Sequence, residues 1–473
     1  MVVELHRAPR PTWDGPDWDD MTDEHLASSG HGPEGVESPK SSCLENLPAE
    51  LRALIFLSAP DLPTLRSLVR ASPVLHAQYR HDRNRILRAC LSRELDGFLI
   101  DAYATAMSWV QGFVPRTDKT ITNYLNTYGV WLSSSTPFPD INSVDPDRIR
   151  WMAAYHISVA RPLARLYSHW TLTNLKKAIV LSSIPQGTAP MEVDKLVEEG
   201  LAAQGDHPSK LSRSEEIRLF RALYRYGTYH HLFGEHQGQR RGGLGQDEIQ
   251  ELFFCLFNPW EAEAVGCIDT FVGLRYENLF NQVKADLHPK NPKFRQENGV
   301  YNPEGSYDLE MEYDDYLYGT MGCGLKMTAR LLMIDDHEKL VSEMQRCLTH
   351  FQVLDGPMRE VLGSMAQYDR RQMSTNFPNA RDEAELRRDP IHFVGDTVPP
   401  DGPPSAWVVL WGGNYSNIYG EYVPQSVKQW GYVMWDKRRW IGMGAEEDLI
   451  VGQWKTSPEL VKEIKRDYNW SPM

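Results

Sequence analysis

Side chains with chemical potential crowd together at a few places. In YHHLFGEH, residues 229 to 236, His231, Glu235 and His236 offer two imidazoles and a carboxylate, a donor set that zinc accepts. The order is not the His-Glu-x-x-His of a metal-binding helix, and Gly234 interrupts the run, so ordinary, partly exposed histidines are expected. Asp335, Asp336, His337 and Glu338 are consecutive; on a helix they point around the axis instead of converging, which reads as a solvated helix start. Cys323 stands between glycines in GTMGCGLKM, 319 to 327, but nothing near it in sequence supplies a base, so an inert thiol is expected. That piece and RRGGLGQD, 240 to 247, lack the phosphate-loop spacing that ends in Lys-Ser or Lys-Thr; both read as loops. There is no Gly-x-Ser-x-Gly elbow. The expectation is a chain with no catalytic residues, no metal and no cofactor.

The elements that would position any site come from the pattern of the chain. Its 473 residues exceed one typical core of about 100–200, so two or three packed units are expected. Cys43, Cys90, Cys255, Cys267, Cys323 and Cys347 show no Cys-x-x-Cys pair, which suits a reducing compartment. No apolar run suggests a signal peptide or a membrane span, so a cytoplasmic or nuclear protein with no membrane contact is expected. The glycosylation-like triplets at Asn414 and Asn469 are then accidental. A net charge of −14 repels phosphate backbones, and no nucleic-acid partner is expected.

Residues 1–42 carry nine acids against three basic residues and read as a disordered acidic tail, in which Trp13 and Trp18 are a candidate docking motif. From Asn46 the pattern turns helical. Leu47, Leu51, Leu54 and Ile55 recur at helical spacing; a second helix follows Asp61 with Leu65, Leu68 and Val69 on one face. Ser72 caps a third that sends Tyr79, Ile86, Leu87 and Cys90 inward and Arg80, Arg83, Arg85 and Arg88 largely outward. Further helices are expected over 149–184, broken by Pro162; over 212–233, opened by a Ser212-x-x-Glu215 capping box; from Asp247; from Pro259 through Val283; and from His337 to Leu354. A long loop is expected over 287–305. YDLEMEYDDYLYG, 307–319, suits a basic or flexible partner, or is a solvated loop with its tyrosines on the core. Beyond the breakers of 395–404, aromatic and β-favouring pieces such as AWVVLWGG suggest a few short strands; seven of the fourteen tryptophans lie from Trp407 to Trp470 and read as core.

LENLPAELRALIF followed by DLPTLRSLVRASPVLHAQYRHDRNRIL resembles the F-box-like segment of filamentous fungal proteins, with the Leu-Pro-x-Glu-Leu start as its most specific part. LFRALYRYGTYHHLFG, FFCLFNPWEAEAVGCI and SVKQWGYVMWDKRRW resemble the uncharacterised downstream region of the same proteins. The second half departs from the family pattern, offering Ser72, Pro73 and later Tyr79 where a cysteine or serine, a basic residue and a tryptophan are usual.

The resemblance implies a helical clamp that docks on the small adaptor of a cullin-RING ubiquitin ligase while the rest of the chain selects a protein substrate. The positions matching the motif are Leu47, Pro48, Leu51, Ile55, Leu62, Leu65, Leu68 and Val69. The alternative is a scaffold in which these helices are purely structural. The fold expected is mainly α: an F-box-like cluster over 43–95, a helical body over 96–394, and a small aromatic-rich unit over 395–473 with a few short strands, packed on the body.

Overall fold

The computed structural model describes residues 44–109, 116–133, 140–185, 187–203, 210–234, 244–287, 313–348, 358–362, 392–413 and 423–455. These residues are mainly helical, and no strand forms among them. The helices are α1 (Ala49–Leu57), α2 (Leu62–Arg70), α3 (Pro73–Glu94), α4 (Leu99–Trp109), α5 (Asp118–Leu132), α6 (Pro146–Tyr155), α7 (Arg161–Ser183), α8 (Pro190–Ala203), α9 (Arg213–Phe233), α10 (Gln246–Leu252) and α11 (Pro259–Leu287). There follow α12 (Tyr313–Met321), α13 (Leu325–Leu332), α14 (His337–Cys347), α15 (Met358–Val361), α16 (Ser405–Trp411), α17 (Gln425–Gln429), α18 (Lys437–Gly442) and α19 (Glu447–Lys455).

The chain divides into two compact units, and the first is discontinuous: residues up to Leu99 join Pro139–Arg161. Its spine is α3, against which α1, α2 and α6 pack. Local chemistry sets each start. The Asp61 carboxylate accepts from the backbone N–H of Thr64 at 2.8 Å, and the Ser72 hydroxyl from that of Leu75 at 3.1 Å. Proline occupies the first turn of both α2 and α3, where no donor is lost. Tyr79, Ile86, Leu87 and Cys90 are fully buried, as the spacing predicts; of the four arginines, Arg80 and Arg85 are exposed. Arg88 lies half-buried and donates to the carbonyls of Ile141 and Val144, which ties α3 to the segment that returns at 140.

The second unit, Ile100–Phe138 with Pro162–Met473, is built around α9 and α11, which pack against each other. The Ser212–Glu215 capping box forms at the start of α9, and α11 begins at Pro259. The break expected at Pro162 lies earlier: residues 156–160 form a π-helical turn, and Pro162 sits in the first turn of α7, where it is tolerated. GTMGCGLKM is a tight corner between α12 and α13 instead of a loop, and 313–319 belongs to α12.

The segment expected to supply strands is helical. AWVVLW forms α16, stopped by Gly412 in the left-handed region (φ 62°), because Trp407 and Trp411, one turn apart, both turn inward. Trp407, Trp430, Trp435 and Trp440 are fully buried, which makes this end core. The acidic tail, the loop over 288–305, the end of the helix expected to reach Leu354, the glycosylation-like asparagines and Trp470 lie outside the described residues.

Candidate protein-docking surface

The site is built on α1. A turn closed by the Leu47 N–H on the Leu44 carbonyl (3.3 Å) leads into Pro48, whose own carbonyl accepts from Leu51 and Arg52. Arg52 reaches back to the Glu45 carbonyl at 2.8 Å and fastens the turn to the helix. At about 100° per residue, Phe56 defines one side of the helix and Leu51 and Leu54 fall close together on the opposite one, while Leu47 lies in the turn that precedes Pro48. Phe56 is 1% exposed, its ring 6.4 Å from that of Tyr79 on α3. Across the helix, Leu51 is 46% and Leu54 56% exposed, with Leu44 exposed beside the turn. One short helix therefore carries apolar residues on two faces, one spent on the core and one presented to solvent.

The eight motif positions divide accordingly. Leu62, Leu65 and Val69 are buried beneath α2 and have almost no surface left for a partner. The physical reason is that α2 must seat on α3 before anything else can seat on α2. Leu68, Leu47 and Ile55 are half-buried, and Pro48 and Leu51 are exposed. Leu54, outside the motif set, is the most exposed leucine of the stripe; the angular position of each leucine relative to Phe56 was the signal that identifies it.

A buried polar node holds α2 in place. Glu94, 8% exposed, accepts from the backbone N–H of Leu62 at 2.7 Å, pairs with Arg161, and lies 3.2 Å from Nε2 of the fully buried His156. Burial works to raise the Glu94 carboxyl, but His156, the Leu62 N–H and Arg161 outweigh it and hold it below its ordinary value. A carboxylate at the first turn of α2 also suits the positive end of that helix. His156 stands in the π-helical turn with its ring stacked on Phe98.

The second unit has a small cleft where Arg218, Arg221 and Arg225 of α9 face Trp260 and Glu261 of α11 and Pro400. Each guanidinium there is engaged: Arg225 with Asp101 (2.8 Å) and Glu261 (2.9 Å), Arg221 with Asp401 (3.3 Å), and Arg218 with Asp436 (2.9 Å) and Asp396 (3.1 Å). Such an arrangement neutralises charge in place and leaves little to attract an anionic substrate.

His231 Nδ1 lies 2.9 Å from the Ser108 hydroxyl, its ring against Trp109, while Glu235 and His236 lie outside the described residues. Asp336 caps α14 through the Lys339 N–H at 2.8 Å. Among the described residues no group of three or more His, Cys, Asp or Glu is placed to hold a metal, and no helix is long and apolar enough to cross a membrane. No family model, curated protein or solved structure matches this chain.

Proposed function

We propose that this chain is a protein-binding subunit that docks through the outward stripe of α1 on the adaptor of a cullin-RING ubiquitin ligase, as the F-box-like resemblance implies, and uses its second unit to select the protein to be ubiquitinated. The reading gives the chain no catalysis of its own. The observation that carries it is the stripe itself: Leu51 and Leu54, one turn apart and exposed on the side of α1 away from its core contact. Apolar residues at that spacing on an outer helix face are the anchors of helix-in-groove recognition.

A fully buried leucine is worth about 1.5–3 kcal/mol, so covering one that is already half-covered yields about 1 kcal/mol. Two such residues change affinity roughly 30-fold. Leu51→Ala with Leu54→Ala is therefore expected to weaken capture of a purified adaptor by about that factor while leaving the thermal midpoint nearly unchanged. Unchanged capture by a folded double variant would sink the proposal. The burial of Leu62, Leu65 and Val69 favours a second reading, a scaffold whose F-box-like helices are structural. Under it the unaltered chain captures no adaptor at all.

A further inference from the structure

The chain carries its own candidate for the α1 stripe. Residues 13 to 26, WDGPDWDDMTDEHL, hold four apolar anchors, Trp13, Trp18, Met21 and Leu26, among six carboxylates and no lysine or arginine. The receiving segment, 44 to 95, has the opposite balance, with eight arginines against five acids. Two of those acids are already engaged, Glu94 in its buried node and Asp61 at the α2 cap, while Arg70, Arg80 and Arg85 reach solvent. Apolar anchors therefore meet an apolar stripe, and anionic flanks meet a cationic surround.

Chain connectivity brings the two together. The described structure begins at Leu44, itself 37% exposed and in the turn that leads into α1. Seventeen residues, 27 to 43, separate Leu26 from that point; they can span up to about 60 Å, whereas α1 is only about 14 Å long. A tether of this length holds a ligand at an effective concentration in the millimolar range, so weak intrinsic affinity suffices.

We propose that residues 13 to 26 occupy the leucine stripe of α1 in the same molecule, covering the docking surface until a stronger partner displaces them. The proposal rests on the stripe being a docking surface, whichever protein ultimately uses it. Its consequence is regulation: a partner must compete with a tethered segment, and any change that removes negative charge from residues 14 to 24 eases that competition.

The test uses the full chain with the photo-crosslinking residue benzoylphenylalanine at Leu51, whose exposed place in the stripe an aromatic side chain keeps apolar, and at Met191, 85% exposed on α8, as the comparison. The expected result is intramolecular capture of peptides from residues 13 to 26 at Leu51, at least tenfold above Met191. Yield should fall severalfold in 1 M salt, and nearly to the Met191 level when Trp18→Ala, Met21→Ala and Leu26→Ala are combined. Equal capture at both positions, capture that grows with protein concentration, or none of these peptides at Leu51 overturns the proposal. The readout involves only this chain, so its failure leaves the adaptor measurement untouched.

Discussion

Glu94 is buried and Glu261 half-buried, and both keep a carboxylate charged by surrounding it with donors. For Glu261, burial favours the neutral acid, but Arg225 and Arg221 overcome it and bring the group down to about 2. A carboxyl lowered in the folded state contributes stability that is present above its unfolded value and is lost as pH falls through the folded value. The ordinary value is 4.5, so Glu261 withdraws stability between roughly pH 4.5 and 2, by an amount of order 3 kcal/mol. Urea unfolding at pH 6 and pH 2.5 should show that loss in the parent chain and a clearly smaller one in Glu261→Gln; equal losses would contradict it. Glycine makes a second case. Gly431 and Gly444 both adopt left-handed φ (66° and 90°), but a Cβ on Gly431 would lie 2.6 Å from the Tyr167 hydroxyl, whereas on Gly444 it meets open space. Gly444→Ala should cost about 1 kcal/mol from backbone strain alone, and Gly431→Ala measurably more, read as the difference in thermal midpoint.

At the scale of the element, α1 is the helix whose two faces differ in purpose. Phe56→Ala should destabilise by about 3–5 kcal/mol, as loss of a buried ring does, whereas Leu54→Ala should stay within about 0.5 kcal/mol. Comparable losses at the two positions, measured by denaturant unfolding, would show that the outward face is not outward. Helix starts were legible in the sequence because their signals are local: the Ser212–Glu215 box, Ser72 before Pro73, and the proline at 259 all act within one turn. The aromatic end was not legible, since valine and tryptophan favour strands in isolation and only the inward packing of Trp407 and Trp411 makes 405–411 a helix. The Glu94 node was invisible for another reason. Leu62, Glu94, His156 and Arg161 are spread over 100 positions, and no spacing rule links them. The proposed docking surface was half legible: the motif positions mix leucines of the core, Leu62 and Leu65, with the exposed Leu51, and sequence spacing treats them alike.

The molecule as a whole is strongly acidic, yet its charge is unevenly distributed, with a basic stretch from 44 to 95 preceded by an acidic one. That contrast puts salt dependence on any contact made by the first unit, and raising ionic strength from 0.05 to 0.5 M should weaken partner capture even with the leucines intact. The discontinuity of the first unit has a consequence in time. Its spine is translated by residue 95, but the segment that α3 holds through Arg88, and the Arg161 that completes the Glu94 node, emerge from the ribosome only after a 39-residue excursion, 100 to 138, into the other unit. A nascent chain stalled at Leu99 should leave α2 loosely held and digestible by protease, while one that has exposed residue 161 should resist. Order of synthesis thus imposes a waiting period during which the leucine-rich α1 and α2 exist without their final support, open to chaperones before the unit is complete.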